Sequence, residues 1–600
     1  MKKTLFTLIG AWCCLAAMAQ WSDDPTVNNQ ITPENYSFYD SGFAVSKDGT
    51  SYIVFNKPIA DGDTYYTATF LQIVTKDGVK LFPDEGKVIS HYPTLTFTMV
   101  NSLVYADNDG NALIFVSDLR HSDSNGLNYT VYKVSPTGEL LWGEDGIDIE
   151  RGETSYPEAC IKAVQLEDRS YVFAWSRSSG GNSMDVIVNR LSKDGEFLWT
   201  QPLVLPSSAW PKLSNAGNNQ VLLTYAKGSS SAITVRKIDF DGTSVWPQEE
   251  VQVYRGSFTI PALEGVFNVT SDEKGGVFVS WYDDRNNTKR ESAYVSHVKS
   301  NGQFGFYTTN GSGDIKVGYG KDIYRQFVPR TVYDKTNDVL FVLWRETDAN
   351  AGYVRIVLQK LSAVGELLFD SDGQQVAEAD HPEAVAYYSL QNGKAGQVAV
   401  FYAYSYYPYQ DVVNIAALYD NEGNYLWSNL PPNNAPQTGI LVAAYRPQKQ
   451  ALEGNKDSFI SSRLVNEKFW VTLWTDYRFA TGLSDGTLFL QRVNIDGTLG
   501  PWTGESAIQL PSATSNDLTV NPSVIKGSTQ FSFNNPNAGN VNISVYTLSG
   551  QKAAVVFNGK LSAGTQTIPW NAKAAQLSTG TYIVGITTNE GSKSVKVVII

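Results

Sequence analysis

The stretch YVFAWSRSSGGNSMDVIVNRLSKDGEFLW, residues 171–199, decides the fold. It opens on an aromatic-rich apolar run, Tyr171 to Trp175, that reads as a strand. It ends in a hairpin turn at Asp194-Gly195, where glycine supplies the positive φ that a tight turn requires. Trp199 follows four residues later, spaced to pack its ring across the start of an outer strand.

Working outward, the same unit occurs eight times. The turn glycines are Gly78, Gly138, Gly195, Gly242, Gly302, Gly365, Gly423 and Gly497, and they recur 47 to 74 residues apart. Four places after them stand Phe82, Trp142, Trp199, Trp246, Phe306, Phe369 and Trp427, whereas the eighth copy has Pro501 there and Trp502 one place on. An apolar strand precedes each turn, as in ALIFV (112–116), VFVSW (277–281) and FWVTLW (469–474). A proline stands ahead of the first strand of each unit, at Pro33, Pro93, Pro157, Pro211, Pro261, Pro329, Pro382 and Pro447, a place where no ladder hydrogen bond is lost. Each unit therefore reads as four short strands, and helical periodicity is nearly absent. Four-stranded units repeated radially make a β-propeller, which protects its edges by closing on itself. The expectation is an all-β chain with an eight-bladed propeller, or seven blades as the fallback, over residues 33–508.

Composition agrees with a folded, exported protein. The 600 residues are 42% hydrophobic and 12% aromatic, enough for a sizeable core. The formal charge of -13 opposes nucleic acid as a partner, since phosphate is neutralised by Lys and Arg. Residues 1–19, MKKTLFTLIGAWCCLAAMA, combine two lysines, an apolar stretch and Ala17-Met18-Ala19, the small-x-small pattern of a cleaved signal peptide, so a mature start at Gln20 is expected. Cleavage leaves Cys160 alone, without a disulfide partner. No later segment carries the ~20 apolar residues needed to span a bilayer. Residues 20–32 read as an N-terminal segment outside the propeller.

Residues 509–520 turn polar and small, as a linker does. Six alternating strands follow over 521–600, enough for a small immunoglobulin-like antiparallel sandwich.

Two resemblances emerge from these motifs. The strings WYDDR (281–285), WTDYR (474–478) and, more loosely, VSDLR (116–120) make the repeats similar to propeller repeats of Bacteroidetes surface proteins. That likeness implies a scaffold and no single activity. The last 80 residues resemble the type A sorting domain of the type IX secretion system. The matching features are Asn521-Pro522, VYTLSGQ with Gly550, KLSAG with Gly564, LSTGTYIVGI with Gly580 and Tyr582, and a terminal strand containing Lys596. The resemblance implies export by the type IX machinery, its partner, and attachment at the cell surface or release.

Chemistry is sparsely signalled. The four histidines, His91, His121, His297 and His381, show no zinc-ligand spacing, and no nucleophile elbow or P-loop occurs. Arg120, Arg285 and Arg478 imitate a sialidase triad, but each follows an aspartate by two places in the same repeat position, which points to a repeated structural pair. Asp107 and Asp109 have the alternate spacing of a calcium loop without its later bidentate acid. No cofactor is otherwise implied. Recognition of a glycan or protein is the better-supported task, with a sialidase-like hydrolase or a structural envelope protein as alternatives. Candidate contact residues are Tyr92, Tyr156, Trp210 and His381 beside the strand-A prolines, and Tyr404, Tyr406, Tyr407 and Tyr409 in the loop FYAYSYYPYQD.

Overall fold

Strands such as Val277–Asp283 and Phe469–Asp476 are buried at every residue. A strand apolar on both faces must be covered on both sides, so its sheet has to be packed between two others. The computed structural model describes residues 21–599 apart from 35–39, 62–63, 95–102, 122–126, 155–160, 181–182, 229–231, 257–266, 286–289, 309–312, 320–323, 349, 351, 380–384, 407–410, 429–436, 445–455, 480–485, 502–517, 522–523, 536, 548–551, 576 and 589–590. Every regular element among the described residues is a β-strand. No helix there is long and apolar enough to cross a membrane. The chain forms two compact units, Met1–Pro501 and Trp502–Ile600.

Among the described residues, the first unit holds eight four-stranded antiparallel sheets. Sheets 1 to 7 span 40–94, 103–154, 162–205, 208–255, 267–316, 324–379 and 385–443, each built from four consecutive strands. Sheet 8 takes three strands from 456–494 and its fourth, outermost strand from Asn29–Gln30 near the other end of the chain. Asn29 pairs with Leu490 and Gln30 with Phe489. The expectation that residues 20–32 lie outside the body is therefore corrected. The backbone of Asn29–Gln30 completes a sheet that the last repeat leaves one strand short.

Apolar clusters fill the joints between successive sheets. Between sheets 1 and 2, for example, Tyr52, Leu71 and Ile73 meet Ile114, Tyr132 and Val134. One cluster packs Ile53, Phe55 and Val74 of sheet 1 against Val471, Leu473 and Leu490 of sheet 8, so the series returns on itself.

The glycine turn and the aromatic residue define these joints in a way the spacing alone did not reveal. The ring does not lie on its own sheet. The Trp142, Trp199, Trp246 and Trp427 indoles donate to the carbonyls of Lys193, Phe240, Ser300 and Ile495, at 3.2, 2.8, 2.9 and 3.1 Å. Each acceptor stands two residues before the turn glycine of the following sheet. The glycine has φ between +79° and +93° at Gly195, Gly242, Gly302 and Gly365. A Cβ there would also strike the incoming ring, 3.2 Å from Trp142 at Gly195 and 2.9 Å from Trp246 at Gly302. The bare turn is what lets a large ring sit flat on the neighbouring sheet. In sheets 2, 3, 4 and 6 a cation five residues before the sheet's own glycine reinforces the contact. Lys133 and Lys237 reach the carbonyls of Lys193 and Ser300 at 3.0 and 3.4 Å, Lys360 reaches that of Asn421 at 2.7 Å, and Arg190 reaches that of Phe240.

The prolines also need correction. Pro211 and Pro329 lie inside the strands Ser208–Gly217 and Tyr324–Asp334, at register shifts between Ala209 and Lys212 and between Phe327 and Arg330. Pro93 falls within Lys87–Thr94, the outer strand of sheet 1. A bulge frees one residue from the ladder, which makes it as tolerant of proline as a strand entry. Pro157, Pro261, Pro382 and Pro447 lie outside the described residues.

The second unit is two facing sheets. Leu518–Asn521, Ser528–Asn535 and Gly564–Asn571 form one, and Val524–Ile525, Gly539–Thr547, Lys552–Leu561, Gly580–Thr588 and Gly591–Ile599 form the other. Phe531 and Trp570 from the first pack with Ile543, Val584 and Val597 from the second. Two details differ from the sequence reading. The strand Leu518–Asn521 begins inside the expected linker, and Val524–Ile525 pairs parallel with Val598 and Ile599 in an otherwise antiparallel unit.

Candidate functional site

The repeated Asp-x-Arg positions come first, because they would carry catalysis if anything on this scaffold did. The strands Ala112–Asp118, Val277–Asp283 and Phe469–Asp476 each end in a buried aspartate whose carboxylate meets the arginine two residues on: Asp118 with Arg120 at 2.7 Å, Asp283 with Arg285 at 2.8 Å, and Asp476 with Arg478. Trp281 and Trp474 donate their indole N–H to the same carboxylates, at 2.8 and 3.1 Å. Burial opposes the charge on Arg120 and Arg285, yet their aspartates outweigh it and push both guanidinium pKa values upward. Each arginine is held by the aspartate of its own sheet.

Arg120 organises the surface at the joint of sheets 1 and 2. Its guanidinium lies 4.4 Å from the Tyr92 ring, its Nη2 donates to the Tyr132 hydroxyl at 2.7 Å, and its Nη1 donates to the carbonyl of Asp145. Tyr92 stacks on His91 and donates to Asp145 at 3.1 Å, and this hydrogen bond raises its phenol pKa. His121 meets Asp148 at 2.7 Å, with Arg151 at 3.2 Å on the same carboxylate. Burial works to raise the Asp148 pKa, but the hydrogen bonds from His121 and Thr130 and the charge of Arg120 hold it below the usual range. Tyr92 thus bridges sheets 1 and 2 through Arg120 and Asp145.

The other candidates separate. Trp210 sits at a bulge with φ +54°, packs half-buried against the core of sheets 4 and 5, and donates its backbone N–H to Ser176 Oγ at 3.0 Å. Tyr404 is half-buried against the core of sheets 6 and 7. Tyr406 pairs through its backbone with Asp411. Tyr156, His381, Tyr407 and Tyr409 lie outside the described residues. Asp107 accepts the N–H groups of Asp109 and Asn111 at 2.9 and 2.7 Å and the Tyr171 hydroxyl at 2.7 Å, while Asp109 pairs with Arg169 at 2.8 Å. Those oxygens close a hairpin. Among the described residues no group of three or more His, Cys, Asp or Glu could hold a metal ion.

Sequence reasoning missed the most open aromatic rings among the described residues. Tyr307 is 78% exposed and Tyr319 is 58% exposed. They flank Asp314–Lys316, the outer strand of sheet 5, and their backbone N–H groups are tied to Val364 and Ser371 of sheet 6 at 3.5 and 2.9 Å. Lys316 Nζ lies 5.5 Å from the Tyr319 ring. Neither tyrosine sits at a repeated offset, so no periodic signal marked them. A groove of about 420 Å³ is lined by Leu203–Leu205 of sheet 3 and by Pro247, Lys227 and Arg236 of sheet 4, the two cations being paired to Glu250 and Glu249.

In the second unit, Gly564 takes φ +104°, Gly580 opens the strand Gly580–Thr588, and the buried Tyr582 donates to Ser578 O at 2.9 Å. Asn521 closes its strand, and Lys596 pairs through its backbone with Ile583. Pro522 and Gly550 lie outside the described residues.

Fold and surface define an all-β protein of four-stranded sheets with a separate terminal sandwich. Residues 520–600 match the family described as the secretion system C-terminal sorting domain. The protein is therefore one sorted by type IX secretion, either released or anchored at the cell surface. No curated protein matches the chain. Solved structures similar to it include an ulvan lyase bound to a saccharide, at 8% identity and TM-score 0.37, covering 62% of this chain and 92% of its own. A polysaccharide lyase, Uly1, matches at 11% identity and TM-score 0.38, covering 70% and 93%. An exo-beta-1,3-galactanase from Phanerochaete chrysosporium matches at 10% identity and TM-score 0.23, covering 67% and 96%. Likenesses this loose carry no chemistry across.

Proposed function

We propose that the chain is an eight-bladed β-propeller exported by a Bacteroidetes-type cell with a cleaved leader at 1–19 and an immunoglobulin-like sorting sandwich from about 521, and that the propeller recognises a glycan. The eight joints that close on themselves support the blade number. In this reading the propeller runs from Trp21 to about Pro501. The observation that carries recognition is the pair of open rings at Tyr307 and Tyr319, each held from behind by the neighbouring sheet. An exposed ring on a fixed backbone offers large contact area at small entropic cost, and two separate rings suit sugar faces better than a continuous protein interface. The Tyr404, Tyr406, Tyr407 and Tyr409 loop is the second proposed contact. A sialidase-like hydrolase draws no support from the three arginines, since each is spent on its own aspartate.

A glycan array on the mature protein tests this. Binding of at least one saccharide is expected, weakened tenfold or more by Tyr307→Ala with Tyr319→Ala. If both that pair and Tyr406→Ala with Tyr407→Ala leave every interaction unchanged, glycan recognition by these surfaces is discarded.

A further inference from the structure

The eighth sheet is assembled from both ends of its unit, and the completing piece is more than a strand. Seven repeats carry an aromatic four places after the turn glycine, and the eighth carries Pro501. Trp21 occupies the vacant role. Its indole donates to Lys76 O at 2.9 Å, the carbonyl two residues before Gly78, and Arg492 of sheet 8 donates to the same oxygen at 3.3 Å. This is the indole-and-cation clamp found at the carbonyls of Lys193, Phe240 and Ser300, with the indole supplied from the opposite end of the unit. A Cβ on Gly78 would lie 2.9 Å from Trp21 N and 3.1 Å from its ring, and Trp21 is 3% exposed. The strap then crosses three sheets. Gln491 donates to Ser22 O at 2.7 Å, Ala444 N donates to Pro25 O at 2.9 Å, Arg478 donates to Thr26 O at 3.0 Å, and Asn29 donates to Gly78 O at 3.0 Å. Asn29–Gln30 caps the edge at Phe489 and Leu490 that sheet 8 would otherwise leave open.

Trp21 stands two residues beyond Ala19. One intervening residue spans at most about 3.6 Å, so an apolar leader lodged in a bilayer holds Trp21 at the membrane surface. A buried slot between two sheets is out of its reach there. We propose that removal of the leader is the step that closes the ring. While residues 1–19 remain attached, the strap stays undocked, the edge at Leu488–Leu490 is open, and the joint of sheets 8 and 1 lacks its indole. A membrane-bound peptidase then hydrolyses the Ala19–Gln20 peptide bond, water supplying the hydroxyl that leaves Ala19 as a carboxylate and the protons that leave Gln20 as an ammonium. The freed strap adds to sheet 8 by edge pairing and seats Trp21. This rests on the leader reading above.

Amide hydrogen exchange on three full-length chains in lipid vesicles tests it: the mature chain from Gln20, a precursor made uncleavable by Ala17→Leu with Ala19→Leu, and the mature chain with Trp21→Ala. Protection at Leu488, Leu490 and Gly78 is expected in the first and is expected to fall tenfold or more in the other two, while the joint at Phe240 stays protected in all three. A peptide of residues 20–32 added to the precursor is expected to restore protection. Equal protection in precursor and mature chain overturns the proposal, and so does a precursor that the peptide fails to rescue. N-terminal sequencing of the exported protein separates the two readings: a start far from Gln20 removes the leader reading while the Trp21→Ala result still reports the strap.

Discussion

Asp476 is fully buried and stays satisfied because Trp474 and Arg478 both point at it, the indole at 3.1 Å. Removing the charge from one partner leaves the other buried and uncompensated, so Asp476→Asn is expected to cost about 3 kcal/mol in denaturant unfolding. The same substitution at Asp194, an exposed turn residue, is expected to change stability by less than about 0.5 kcal/mol. Trp199→Phe keeps the ring on Gly242 and removes only the N–H to Phe240 O, a carbonyl that Arg190 still serves. Its expected cost is about 1 kcal/mol, read by the same titration. If Trp199→Phe costs as much as Asp476→Asn, the joint depends on that hydrogen bond more than on ring packing.

Among the joints, the one between sheets 5 and 6 is built differently. His297 stands where Lys133, Lys237 and Lys360 stand elsewhere, and Phe306, like Phe82 and Phe369, stands where four other repeats have tryptophan. His297 turns to Asp272 of its own sheet at 2.9 Å and stacks on Phe278, 4.2 Å between centroids. The Phe306 ring still packs on Gly365 of sheet 6, while His297 is turned to its own sheet. Other bonds cross instead: Arg325 donates to Glu291 at 2.6 and 2.7 Å, and the Thr270 and Thr331 hydroxyls meet at 2.8 Å. The hydrogen bond from Arg325 holds the Glu291 pKa below its ordinary value against the effect of burial. A depressed carboxylate contributes stability that is fully present above its unfolded value of about 4.3 and is lost as pH falls through the folded value. Thermal midpoints are expected to drop as the pH is lowered below about 4, and Glu291→Gln is expected to flatten part of that drop. An identical pH profile in the variant would assign the acid sensitivity to other carboxylates.

At the scale of the molecule, the two units are separately packed, each with its own core. Deleting residues 520–600 is expected to leave the sheet-built unit folded, with its thermal transition within a few degrees, while the protein fails to reach the outside of the cell. Fractionation of the producing cells with a melt of the recovered protein checks both halves. Loss of the fold on deletion would mean that the sandwich supports the body as well as directing it.

What residues 171–199 and their seven counterparts settle by themselves is the all-β class, the four-strand unit and the turn glycines, because hydrophobic alternation and positive φ are local demands written in consecutive residues. Six of the eight strands of the terminal unit were legible for the same reason, each carrying its own pattern, whereas Leu518–Asn521 and Val524–Ile525 were not. The joints were not. That Trp142 lies on Gly195 and Trp21 on Gly78 depends on which sheets become neighbours, and nothing in the spacing within one repeat states it. Asn29–Gln30 is too short to show a period, and its place in sheet 8 follows only from the edge that the last repeat leaves unpaired. Tyr307 and Tyr319 escaped notice because exposure is a property of the packed surface: the same ring buried at Tyr171 or opened at Tyr307 is spelled with the same letter, and only the tertiary structure decides which neighbours cover it.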